Sequence, residues 1–228
     1  MSLIRIGCPT QHLKREGLAM GLAEQWTDRG TWIYPARCGV VAGRSADSES
    51  GETMTTETGR VPDLAEVADR LAMHDVLAKH SRGIDRADEA ILKSAYWPDA
   101  TVEYGGFQGS AHEFCAILPA AISQYARTQH RVTNVAIDQA GDDARVESYV
   151  TAYHYRANDD GPDTEMTYLG RYLDTMKKRD NVWKISNRKI VMDWNQTVDA
   201  TAVWEGPTFD GIARGGRVPD DPLYEFLG

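Results

Sequence analysis

The chain has 228 residues, 42% of them hydrophobic and 26% charged, which suits one packed core with an extension and is too short for two large domains. Its 34 acidic against 25 basic side chains leave a formal charge of -9 with Lys and Arg scattered, so no basic surface is prepared for nucleic acid. No apolar run approaches the roughly 20 residues of a membrane span, and the N-terminal region, with Arg5, His12, Lys14 and Arg15, lacks a secretory apolar segment, so a cytoplasmic protein is expected.

Residues 1–61 are expected to form a poorly ordered extension or a mis-assigned start. The stretch is punctuated by glycines without a sustained period, Ser45–Thr53 has a linker's polar, acidic composition, and Met54 reads as an ordinary initiator. Trp26, Trp32 and Tyr34 are unusual for such an arm. From residue 62 the signals become regular. Asp63 and Glu66 form a capping-box start, and Leu64, Val67, Ala68, Leu71, Ala72 and Ala78 predict a helix of about five turns ending at Gly83. A short helix over 85–95, a strand over 101–104 and a third helix over 110–127, interrupted at Pro119, follow. Four β-rich runs, roughly 128–138, 143–157, 164–178 and 182–196, are separated by turn-forming clusters. Three helices followed by an antiparallel meander predict an α+β fold over 62–196, its helices packed into the concave face of a curved sheet. Residues 197–228, rich in Gly, Asp and Pro, read as a C-terminal tail without a clear period.

Cys8, Cys38 and Cys115 are odd in number and widely spaced, which points to free thiols rather than a disulfide framework or a cysteine-rich zinc site. His112-Glu113 lacks a second histidine four positions after the first, because Ala116 stands there, and no metal or nucleotide fingerprint is found. The expectation is chemistry without a metal or cofactor.

What remains is a polar constellation at element ends: His80 and Asp85, then Thr128-Gln-His130, then Arg188 and Trp194 on the last run. A carboxylate beside a histidine fixes the ring's tautomer and supports the imidazolium formed on proton abstraction, so Asp85 and His130 would make a general-base pair if the fold joins them. Asp85 could instead cap the second helix, and His130 could be structural. Period-two alternation places Ser186, Arg188, Ile190, Met192 and Trp194 on one face of the last run, with Trp183, Ile185 and Val191 on the other. On the first face Arg188 must meet an anion or developing charge, or else pair across the sheet with Glu147 or Asp174. Tyr96, Tyr104, Ile190, Met192 and Trp194 are candidates for an apolar pocket wall; His80, Tyr96 and His154 fit packing roles equally well.

The segment His80-Ser-Arg-Gly-Ile-Asp85, the phrase Tyr96-Trp-Pro-Asp-Ala100, Phe107-Gln-Gly-Ser110, Thr128-Gln-His130 and Trp183-Lys-Ile-Ser-Asn-Arg188 together resemble the SnoaL-like branch of the nuclear-transport-factor-2-like superfamily. That resemblance implies an α+β cone over about residues 62–196, whose helices and curved sheet enclose a mostly apolar pocket, and is strongest to scytalone dehydratase, bile-acid 7α-dehydratase and hexachlorocyclohexane dehydrochlorinase types. By carry-over Asp85 and His130 would be the catalytic dyad, His80 would stand where those relatives keep a Tyr or Lys donor, and Arg188 would fall near the arginine that assists the leaving group. The expected function is a cofactor-independent lyase acting on a small apolar or aromatic ring compound. A ketosteroid-type isomerase, a small-molecule-binding protein and an accessory subunit of a ring-hydroxylating dioxygenase are the alternatives. A homo-oligomer, trimer or dimer, is expected from an apolar outer sheet face containing Trp183, Ile185 and Val191, with the trimer suggested by the resemblance.

Overall fold

The computed structural model describes residues 60–228. Residues 1–59, and with them the expectation of a poorly ordered arm and of a start at Met54, lie outside the described residues.

Helix α1, Leu64–Arg86, begins with the expected reciprocal cap: Glu66 N–H donates to the Asp63 side chain at 2.9 Å, and Asp63 N–H donates back to the Glu66 carboxylate at 2.8 Å. It passes beyond Gly83 and stops at Ala87, which adopts a left-handed conformation with φ 49°. Gly83 serves packing rather than termination, since a Cβ there would lie 2.8 Å from the backbone nitrogen of Leu92 in the short helix α2, Glu89–Ser94. Asp85 therefore sits in the last turn of α1, one residue before its end. The cap of α2 is Asp88, whose side chain accepts from Ile91 N–H at 2.9 Å, so Asp85 is not needed for it.

Strands β1, Tyr96–Tyr104, and β2, Phe107–Ser110, form a hairpin whose turn includes Gly105 at φ 61°. Helix α3, Ala111–Ile122, ends five residues before the expected boundary because the Ser123 hydroxyl and Gln124 amide bond back to the carbonyls of Ala120 and Ala121. Strands β3, Arg127–Ala140, β4, Asp143–Arg156, β5, Thr164–Arg179, and β6, Val182–Asp199, are the long meander. The sheet is curved and unclosed, in the order β2-β1-β6-β5-β4-β3. Its meander is antiparallel, and β1 joins β6 in parallel. The core lies between this sheet and the buried faces of α1 and α3, including Met73, Leu77, Ile84, Phe114 and Leu118. No helix among the described residues is long and apolar enough to cross a membrane.

The alternation read along β6 is broken twice. Between the pairs Met176↔Ile185 and Thr175↔Asn187, Ser186 is an extra residue; between Gly170↔Met192 and Leu169↔Trp194, Asp193 is another. Each extra residue exchanges the two faces. Trp183 and Ile185 are consequently core residues, 4% and 0% exposed, on the face they share with Arg188 and Ile190. Of the outer apolar face expected from Trp183, Ile185 and Val191, only Val191, opposite Arg171, stays on the outer side. The C-terminal segment is more structured than its composition indicates: it ends in α4, Pro222–Leu227, and Tyr224 donates its hydroxyl proton to Asp88 at 2.7 Å.

Candidate functional site

Asp85 and His130 meet. The last turn of α1 presents the carboxylate to the start of β3, where His130 Nδ1 lies 2.8 Å from Asp85 Oδ1 and His130 N–H donates to Oδ2 at 2.9 Å. Both side chains are nearly enclosed, with 4% of His130 and 11% of Asp85 accessible. Burial opposes ionisation of Asp85, but hydrogen bonds from the His130 ring and backbone and from the Thr128 hydroxyl outweigh it and hold the carboxyl below its ordinary range. An ionised carboxylate only accepts, so Nδ1 carries the ring proton and Nε2 is the basic nitrogen.

His130 lines a cavity of about 190 Å³ whose wall also includes Ile84, Leu118, Ile122, Tyr104, Tyr168, Tyr172 and Ile190. Burial raises the ionisation range of the Tyr104 and Tyr172 hydroxyls. Tyr168 donates its hydroxyl proton to Val191 O at 2.9 Å. Its ring can lie over the sheet because residue 170 is glycine: a Cβ there would meet Val191 O at 2.2 Å and the Tyr168 hydroxyl at 2.6 Å. His154 also lines the cavity, with its ring centroid 5.4 Å from that of His130. Burial, then the neighbouring His130, pushes His154 down to about 4, so it is neutral at pH 7.

The other candidates are distributed differently. Tyr104 and Ile190 are on the cavity wall as expected. Met192 and Trp194 are 60% and 50% exposed and do not line it. The extra residue Asp193 puts Trp194 opposite Leu169, on the outer face. Tyr96 is fully buried in edge contact with His80, whose ring also meets Tyr172 at 5.7 Å. His80 is 1% exposed, and burial followed by the charges of Arg188 and His130 keeps it neutral, so it is a packed imidazole rather than a charged proton donor at the wall.

Arg188 realises the ion-pair alternative. Its Nε and Nη2 each contact an Asp174 oxygen at 2.7 Å, both side chains are inaccessible, and the guanidinium carbon stands 4.0 Å from the Tyr172 ring centroid. Burial alone would weaken its charge, but Asp174 more than compensates and keeps it cationic. A direct role at the leaving group is therefore replaced by support beneath the cavity's tyrosines.

Sequence reasoning did not single out Tyr168, Tyr172, Ile84 or Met166 as cavity residues. The signal was present in β5, where Met166, Tyr168 and Tyr172 share the alternation of the buried Asp174 and Met176.

The model of the SnoaL-like domain matches residues 65–189, more than half of the sequence. The chain belongs to the SnoaL-like domain family. No curated protein matches it significantly. A hexachlorocyclohexane dehydrochlorinase (LinA) type 2 structure is 23% identical, covers 66% of this chain and 100% of its own, and superposes with a TM-score of 0.56. The LinA-type3 dehydrochlorinase of Novosphingobium barchaimii LL02 gives 21%, 64%, 100% and 0.55 for the same measures. A Novosphingobium aromaticivorans DSM 12444 protein, provisionally named a scytalone dehydratase, gives 24%, 65%, 97% and 0.51. Likenesses at this identity establish the SnoaL-like fold.

Proposed function

We propose that this SnoaL-like chain is a cofactor-independent lyase of the dehydratase or dehydrohalogenase type, with Asp85 and His130 as its acid-base pair. The observation that carries the reading is the Asp85 carboxylate, bound by both the ring and the backbone of His130 beside an apolar cavity. This arrangement supplies a base of fixed orientation, and a positioned base contributes about 10²–10⁴-fold to a proton transfer.

Nε2 of His130 takes a carbon-bound proton, and the C–H electron pair becomes the new C=C bond as hydroxide or halide leaves with its own bonding pair. Asp85 stabilises the imidazolium, which returns its proton to the departing hydroxide or to solvent. The hydroxyls of Tyr104 and Tyr172, both on the cavity wall, are the polar groups available to receive the departing group. An apolar cavity of about 150 Å³ accommodates benzene. A site of 190 Å³ thus favours a single substituted ring over a steroid, and its tyrosines and aliphatic wall favour a neutral compound.

A panel of hydroxylated and halogenated single-ring compounds tests the reading, with alkene formation followed by absorbance and halide release by ion chromatography. Turnover by the wild-type protein that disappears in His130→Ala is expected. Ligand binding unchanged in His130→Ala, with no turnover by wild type, would overturn it in favour of a binding protein. Deuterium from solvent appearing at a second carbon of an otherwise intact substrate would make the same pair an isomerase.

A further inference from the structure

We propose that Arg217, in the C-terminal segment beyond the family match, is a positioning residue for the Asp85–His130 pair; this rests on the reading of that pair as the functional site. Arg217 Nη1 donates to the Asp85 carbonyl at 2.6 Å and to Thr128 Oγ1 at 3.0 Å, while Nη2 donates to the Tyr125 carbonyl at 3.0 Å. One half-buried guanidinium thus joins the end of α1, the segment leaving α3 and the start of β3, which together carry Asp85 and His130. The next residue continues the clamp, with Val218 N–H donating to Arg86 O at 2.9 Å. Consecutive tail residues therefore satisfy the last two carbonyls of α1, which have no helical partner.

The chemistry extends to the carboxylate through Thr128. A guanidinium has donors only, so Thr128 Oγ1 must accept from it, which leaves the single hydroxyl proton free to be given away. Behind the two donors of His130, the Thr128 hydroxyl is among the groups that hold the Asp85 carboxyl below its ordinary range. Arg217 fixes both the backbone that carries Asp85 and the sense of the Thr128 hydrogen bond. The tail is anchored independently by the Arg86–Asp221 ion pair at 3.1 Å and the Tyr224–Asp88 hydrogen bond.

The test is the downfield proton resonance of His130 Nδ1–H, recorded on the full chain without substrate and assigned by its disappearance in His130→Gln. Arg217→Met should abolish the resonance in a chain that still melts cooperatively, and Thr128→Val should do the same with the tail still docked. Tyr224→Phe, which removes only a tail anchor, should retain it. An unchanged resonance in folded Arg217→Met would overturn the proposal, as would its loss in Tyr224→Phe, which would assign the effect to tail docking in general. If Arg217→Met does not fold, Thr128→Val decides by the same criterion. Because no substrate is involved, absence of turnover by wild type would overturn the lyase reading while leaving this result standing.

Discussion

Asp85 stabilises the fold only while it is ionised. Its folded ionisation range lies below the ordinary value of about 3.9 because hydrogen bonds to His130 and Thr128 overcome the cost of burial. Its contribution is therefore fully present above that ordinary value and is lost as pH falls through the lower, folded one. Asp85→Asn should flatten the acid limb of a stability-against-pH curve from thermal melts. The same variant and His130→Ala should each reduce turnover by at least about a hundredfold while retaining a cooperative transition, because His130 lines the cavity and Asp85 sits against its ring, neither belonging to the apolar core. His154 has a separate signature. Its folded value of about 4 lies below the ordinary value near 6.5, so between these pH values the unfolded chain binds a proton that the folded chain resists. Stability should fall as pH is lowered through that window, and His154→Phe should shrink the fall measured by thermal melts.

At the scale of elements, β5 and β6 shape the cavity through one small residue and one extra residue. Gly170 admits the Tyr168 ring, and Asp193 turns Trp194 away to the outer face. Gly170→Ala would drive a Cβ into the Val191 carbonyl and the Tyr168 hydroxyl, a clash that includes backbone and cannot be relieved by one side chain alone. Overpacking of this kind costs about 1–3 kcal/mol. Differential scanning calorimetry should show a midpoint lower by several degrees, and displacement of Tyr168 should weaken ligand binding in the same variant.

At the scale of the molecule, the faces of the sheet are unlike. The inner face closes on α1 and α3, whereas the outer face exposes Tyr149, Tyr153, Leu173 and Trp194 by 45%, 41%, 37% and 50%. Among them Arg171 bridges Glu147 at 2.9 Å and Asp193 at 3.2 Å. Aromatic residues with an arginine are the composition enriched at protein interfaces. We propose that a second copy covers this face, in a dimer or, on the family resemblance, a trimer. Light scattering at micromolar concentration should give a multiple of the chain mass, and Leu173→Glu should shift it toward one; a monomeric wild type would remove the argument.

The local chemistry of the sequence was enough for the α+β order, the Asp63–Glu66 cap and the four long strand runs, because caps and alternation depend on neighbours a few residues away. It also brought Asp85 and His130 forward as polar residues at element ends, though their contact spans 45 positions and required the sheet to curve α1 and β3 together. The faces of β6 could not be read, since an extra residue is defined by the strand opposite, and a period-two count loses phase at Ser186 and again at Asp193. For the same reason Arg188 remained open between two chemistries until Asp174 was found facing it on β5. The tail carried no clear period. Arg217 takes its role from acceptors 89 to 132 residues away, which only the tertiary structure brings within reach of one guanidinium.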